Sequence, residues 1–132
     1  GGGWPNGYVN AERMAALSKR ARIILGVGAV GHCQDVYTLK LRDFDAPMSG
    51  AMYLTHRNPD LCQLYSEGEE IECYTTPKEA LNKIRFYLEH PADLAQIAKN
   101  GHQKALTRDT WDQRLLTTFE QLGLLQPHNL SR

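Results

Sequence analysis

The sequence lacks the features that mark several common classes of protein. It has 15 Lys and Arg against 15 Asp and Glu, so its formal net charge is zero, and no stretch is rich in basic residues. Because nucleic-acid-binding domains concentrate positive charge on one surface, this balance gives little reason to expect a nucleic-acid partner. No apolar run approaches the roughly 20 residues that span a bilayer, so we expect no membrane-spanning helix.

Cysteine is also scarce. The three cysteines, Cys33, Cys62 and Cys73, include no C-x-x-C pair. An odd number at these spacings argues against both a disulfide framework and a zinc site, and it fits a reducing compartment. The first residues, GGGWPNG, lack the basic and then apolar layout of a signal peptide. We therefore predict a cytoplasmic protein without a metal site.

What the chain does contain is an alternation of strand and helix patterns over the length of about one domain. Apolar runs at residues 22–27, in AMYLTH and in IECYTT predict three strands. Helical patterns surround them; Asn58-Pro59 and Thr76 with Glu79 are typical helix starts, and Trp111 is expected to anchor the last helix by packing. This alternation predicts a three-layer, Rossmann-like α/β fold with a parallel sheet.

Three strands make a thin sheet for this many helices, because parallel sheets are normally buried on both faces. We expect residues 1–123 to be the later part of a larger α/β domain, followed by a C-terminal tail at 124–132, or to complete the sheet with a second copy. The strand at 23–27 should then present an unpaired edge, and we expect a homodimer. The alternative is a monomer in which the GGGWPNG segment and the last helix cover the gap.

A glycine-rich loop follows the first predicted strand. Gly26, Gly28 and Gly31 have the spacing G-x-G-x-x-G, and His32 comes next, where it could touch a phosphate. In a dinucleotide-binding fingerprint the third glycine opens a helix and an acidic residue ends the next strand. Here GHCQDVYTL has no helical stripe, and the next strand ends in Thr-His-Arg. Since an Arg there suits a 2′-phosphate, an NADP-binding domain stays open as the weaker alternative.

An ordered set of motifs extends over nearly the whole chain. It comprises Arg42-Asp43-Phe44-Asp45, Ser49-Gly50, Pro59-Asp60-Leu61, Gly68-Glu69-Glu70, Pro77 to Leu81, Gly101 and Thr110-Trp111. In this order the motifs resemble the C-terminal, nucleotide-sugar-binding domain of group-1 glycosyltransferases of the GT-B fold, in the spore-maturation glycosyltransferase-like branch. The resemblance implies a nucleotide-diphosphate sugar as donor, an unknown acceptor, and transfer that requires no cofactor or metal ion.

The resemblance also implies roles for individual residues. Asp45 stands where the family places a carboxylate that binds the ribose hydroxyls, although the family residue is Glu. Arg42 matches the family's arginine and is the first candidate partner of the donor phosphates, with Lys40 as the second. Gly28, Gly31 and His32 complete the expected donor site. The catalytic residues stay unassigned, because enzymes of this fold carry the acceptor site and any base largely on another domain.

Two interpretations of these residues remain open. The chain is either the donor-binding part of a glycosyltransferase, inactive by itself, or a non-enzymatic glycosyltransferase-like assembly module. In the second case Asp45 and Arg42 are relics of a binding site. A salt bridge between them, one turn apart, is the plain structural alternative for Arg42 and would contribute about 0.3–0.5 kcal/mol to stability. Binding of UDP, GDP, ADP or TDP separates the two.

Overall fold

The computed structural model of the chain describes residues 9–30 and 33–124. Within them the elements follow in the order α1 (Ala11–Arg20), β1 (Ile23–Leu25), β2 (Ala29–Val30), β3 (Cys33–Tyr37), α2 (Arg42–Met48), β4 (Met52–His56), α3 (Pro59–Leu64), β5 (Glu72–Tyr74), α4 (Pro77–Glu89), α5 (Pro91–Arg108) and α6 (Trp111–Gln121). The predicted alternation of strands and helices is confirmed.

The core of the fold is a three-stranded parallel sheet in the order β1-β4-β5. Ile23 lies opposite Met52, and Leu54 lies opposite Leu25 on one side and Glu72 on the other. The central strand β4 is buried on both faces, as parallel strands usually are. One apolar cluster joins β4 and β5 to α4 and α5, and a second joins the sheet to α2 and α3. Helices therefore flank a small parallel sheet, as a Rossmann-like α/β fold requires.

Local capping residues set the starts of the helices. The side chain of Asn58 accepts a hydrogen bond from the Asp60 N–H, and the Thr76 hydroxyl accepts one from the Glu79 N–H, at 3.0 and 3.2 Å. Both starts agree with the sequence prediction, because Asn and Thr satisfy N–H groups that a first helical turn leaves unpaired. The sequence pattern of residues 38–49 predicts one short helix, and the helix found there, α2, begins later, at Arg42.

The segment after β1 differs from the prediction. Instead of one long loop, β2 and β3 form an antiparallel hairpin in which Ala29 lies opposite Tyr37 and Val30 opposite Cys33. A dinucleotide fingerprint needs a helix at this point. The hairpin therefore does not fit the NADP-binding alternative.

The first strand lies at an edge of the parallel sheet. Among the described residues β1 pairs with β4 alone. The preceding helix α1 has no buried residue. None of the helices in the described chain is both long and apolar enough to cross a membrane.

Candidate functional site

The parallel strands β1 and β4 end at the same edge of the sheet, which is where open α/β sheets usually bind ligands. Gly26 follows β1 there; its N–H donates to the carbonyl of Leu54 at 2.8 Å, and its own carbonyl accepts from the Tyr74 hydroxyl at 2.7 Å. A Cβ atom at position 26 would lie 2.5 Å from Thr55 Oγ1 and 2.6 Å from Tyr53 Cζ. Only glycine fits this place.

A buried carboxylate connects this edge to α2. Asp43 is 4% exposed. Its Oδ1 accepts from the Tyr53 hydroxyl and its Oδ2 accepts from the Lys40 N–H, both at 2.6 Å. Burial and the hydrogen bond to Asp43 raise the pKa of Tyr53 far above its usual value, so the phenol stays protonated and donates. Asp43 thus fixes the start of α2 against β4.

The three charged residues predicted to bind the donor surround the start of α2. The Lys40 ammonium donates to the carbonyl of Val27 at 2.7 Å, which connects the glycine loop to the approach to the helix. Arg42 and Asp45 are exposed and line one groove of about 480 Å³ between α1, β1 and α2. The ion pairs of the described residues do not include one between Arg42 and Asp45.

Gly28 lies against the end of β4 and does not line that groove. A Cβ atom there would lie 3.5 Å from the His56 carbonyl oxygen and 3.7 Å from Tyr37 Cδ1. The His56 ring stacks on Tyr37 at a centroid distance of 5.4 Å and meets Tyr74 edge-on at 5.5 Å. Its Nδ1 is buried and has no hydrogen-bond partner in the described part of the chain. His56 therefore places a buried polar atom at this edge, and its position at the end of a strand makes it a sequence candidate to face the donor.

Two of the predicted site residues, Gly31 and His32, lie outside the described residues. Their roles stay predictions. The structure thus brings Arg42 and Asp45 onto one surface, holds Lys40 on the adjacent loop, and places Gly28 beside a different set of side chains.

A second groove, of about 410 Å³, lies between α2 and α6 and also includes Asp45. The Arg114 guanidinium covers the Phe44 ring at 4.4 Å. Trp111 lines this groove and is 70% exposed, so the prediction that it anchors α6 by packing is wrong. The reason is that α6 has no buried residue and leaves its first turn in contact with solvent.

Comparison with known proteins identifies the family. A family model described as glycosyl transferase-like matches residues 1–120. The chain belongs to this glycosyl transferase-like family. Searches of curated proteins and of solved structures returned no match. The family assignment agrees with the resemblance of the motifs around Arg42 and with the observed α/β fold.

Within this glycosyl transferase-like chain, the charged residues of α2 divide into two kinds. The exposed carboxylate of Asp45 can accept hydrogen bonds from sugar hydroxyls, and the exposed guanidinium of Arg42 can donate two parallel hydrogen bonds to a phosphate. The buried carboxylate of Asp43 is already engaged by protein donors. The sequence analysis singled out Asp45 and did not recognise that Asp43 positions the helix that carries it.

Proposed function

We propose that the chain binds the nucleoside diphosphate of a sugar donor and forms the donor-binding part of a glycosyltransferase. The observation that carries the proposal is the shared groove of Arg42 and Asp45. Residues three apart on a helix are neighbours on its surface, so a cation and a carboxylate face the same ligand space. A nucleoside diphosphate needs this combination: a hydrogen-bond donor for its phosphates and a hydrogen-bond acceptor for its ribose hydroxyls.

The match of the motifs around Arg42 supports a finer proposal. The chain would correspond to the C-terminal half of a GT-B enzyme in the spore-maturation glycosyltransferase-like branch, with the acceptor site and any catalytic base carried outside it. Negative charge develops on the diphosphate as the sugar leaves, and the guanidinium of Arg42 would stabilise it. The Lys40 ammonium lies beside the glycine loop, where it donates to the carbonyl of Val27, and it would approach the phosphates from that side.

Calorimetric titration with UDP, GDP, ADP and TDP tests this proposal. We expect one of the four to bind, and Asp45→Ala and Arg42→Ala to weaken its binding by roughly 1–3 kcal/mol each, the range for hydrogen bonds to charged groups. The matched controls are Asp60→Ala on α3 and Arg85→Ala on α4, both exposed and outside the groove. They should leave the affinity unchanged.

The corresponding nucleoside separates the two roles. Without phosphates, its binding should still weaken with Asp45→Ala and should be nearly indifferent to Arg42→Ala. Equal effects of both substitutions on nucleoside and nucleotide would show that the pair is structural. If none of the four nucleotides binds or shifts the melting temperature, the non-enzymatic assembly module becomes the better explanation.

A further inference from the structure

Three side chains that do not line the donor groove converge between α3 and β5. Cys62 lies on α3, Glu67 lies in the turn that follows it, and Cys73 is the middle residue of β5. Their sulfur and carboxylate ligand atoms all lie within 4.8 Å of one another. Tetrahedral zinc, with bonds of about 2.3 Å to sulfur and 2.0–2.2 Å to oxygen, needs ligand atoms roughly 3.5–3.8 Å apart. Small side-chain rotations would therefore close the three atoms around one ion.

The charges around the cluster suit a bound cation. Glu67 accepts from the guanidinium of Arg57 at 2.6 Å, and the Lys83 ammonium lies 3.8 Å from the same carboxylate. Two thiolates and a carboxylate around a divalent ion carry one negative charge overall. Arg57, which pairs with both Glu67 oxygens at 2.6 and 2.7 Å, offsets that charge, whereas Lys83 pairs more closely with Glu72, at 2.6 Å. Because a carboxylate accepts about four hydrogen bonds, Glu67 can keep Arg57 and still offer a lone pair to a metal.

The exposure of the two thiols indicates a route for the ion. Cys73 is fully buried, whereas Cys62 is half-buried and Glu67 is reached by solvent. The ion would therefore enter from the side of Cys62 and Glu67 and reach Cys73 last. A coordinating metal removes the proton of its thiol ligand.

We propose that Cys62, Glu67 and Cys73 bind a thiophilic divalent cation of the Zn²⁺ type, with water as the fourth ligand. Zn²⁺ accepts mixed sulfur and oxygen donors in tetrahedral sites. The ion would fasten α3 to β5 and is independent of the proposed nucleotide site. The sequence analysis predicted no zinc site because the cysteines form no C-x-x-C pair; here the ligands come together only through the packing of α3 on the sheet.

Titration of the reduced, metal-stripped chain with Co²⁺ tests the site. Co²⁺ bound to thiolates gives a ligand-to-metal band in the near ultraviolet and intense visible bands when tetrahedral, and Zn²⁺ should abolish both. We expect one ion per chain. Cys62→Ser should remove the near-ultraviolet band or halve it, and Glu67→Gln should keep the band but weaken binding more than about tenfold, since even outer contacts to metal ligands are worth 10–100-fold.

Cys33→Ser is the matched control, because it removes a cysteine and keeps both proposed thiolates; it should bind as the parent chain does. Zn²⁺ should also raise the melting temperature of the parent chain and of Cys33→Ser but not of Cys62→Ser, since a ligand that binds only the folded state stabilises it. Cys62 is half-buried, so its replacement avoids the fully buried position of Cys73. No thiolate band, a band unchanged in Cys62→Ser, or affinity unchanged in Glu67→Gln would overturn the proposal.

Discussion

At the residue scale, the start of α2 depends on one buried carboxylate. Asp43 accepts the Tyr53 hydroxyl from the sheet and the Lys40 N–H from the preceding loop. The Tyr53 hydroxyl and the Lys40 N–H therefore share one acceptor, the buried carboxylate of Asp43. Hydrogen bonds to charged groups contribute about 1.5–3 kcal/mol, and a buried donor that loses its partner adds a desolvation cost.

We therefore expect Asp43→Ala to lower the free energy of unfolding by about 2–3 kcal/mol, because it leaves the Tyr53 hydroxyl and the Lys40 N–H without their acceptor. Asp45→Ala should change it by less than about 0.5 kcal/mol, since its side chain is exposed. Urea denaturation of the parent chain and of the two variants measures both changes in the free energy of unfolding. Similar losses for the two substitutions would mean that Asp45, too, is a structural residue.

The glycine loop offers a second matched pair. A methyl group at position 26 would meet Thr55 and Tyr53 at distances no real Cβ shows, so Gly26→Ala should cost about 1–3 kcal/mol as an overpacked core does. At position 28 the nearest atom is 3.5 Å away, an ordinary contact, so Gly28→Ala should fold with nearly the parent stability. Thermal unfolding compares them, and equal melting temperatures would contradict the close approach at Gly26.

At the residue scale, the sequence predicted which residues of α2 lie on its surface better than it predicted what each residue does. The exposed positions of Arg42 and Asp45 on one surface follow from helical spacing alone. The different roles of Asp43 and Asp45 do not follow from that spacing, because the role of Asp43 depends on Tyr53, ten positions away on a different element. The cluster of Cys62, Glu67 and Cys73 was missed for the same reason.

At the element scale, Asp109 joins three helices. It ends α5, its carboxylate accepts from the Tyr65 hydroxyl beyond α3 at 2.6 Å, and it pairs with Arg108 at 2.7 Å and with Arg114 of α6 at 3.5 Å. Burial alone would raise the pKa of Asp109, but the hydrogen bonds from Arg108 and Tyr65 outweigh it and lower the pKa. The charged carboxylate is therefore the form that holds these helices together.

A group whose pKa is lower in the folded state than in the unfolded state stabilises the fold above its unfolded pKa. For Asp109 that contribution is full above the usual aspartate value of about 3.9 and is lost as the pH falls through the lower, folded value. We expect Tyr65→Phe to cost about 1.5–3 kcal/mol at pH 7, because it removes one hydrogen bond to the charged carboxylate.

The cost of Tyr65→Phe should shrink as the pH falls below about 3.9, since a protonated carboxyl interacts less strongly with the phenol. Denaturant titrations at several pH values measure this difference. Glu120→Gln, an exposed change on α6, is the control and should show no comparable pH dependence. A cost for Tyr65→Phe that is the same at every pH would assign the effect to packing instead of the charged hydrogen bond.

The elements with strong local signals were predicted and the hairpin was not. The caps at Asn58 and Thr76 and the apolar run of β4 are encoded by adjacent residues. The first strand of the β2–β3 pair has only two residues, and the glycines around it have the spacing of a phosphate-binding loop. The β-branched and aromatic residues that follow were the available signal for a strand, but antiparallel pairing is a non-local choice.

At the scale of the whole molecule, one side of the chain combines a strand edge with bare apolar side chains. The described sheet ends at β1, and Leu25 and Val27 are 46% and 55% exposed. Met14 and Leu17 of α1 line the same groove as Arg42 and Asp45. Unpaired edges and apolar patches are normally covered by pairing or by contact with another surface. A surface that covers α1 would therefore also approach the proposed donor groove.

We expect the chain to form a two-fold dimer through α1 or the β1 edge at micromolar concentration, because a self-complementary contact is the simplest way to cover this side. Sedimentation equilibrium measures the mass. Leu17→Lys should shift the chain toward the monomer, since it places a charge in the contact. Leu81→Lys on α4 is the matched control, because Leu81 is exposed to the same extent, 47% against 48%, and lies on a different helix. A monomer at every concentration, or equal disruption by both substitutions, would mean that the α1 side is covered within one chain or is not a contact.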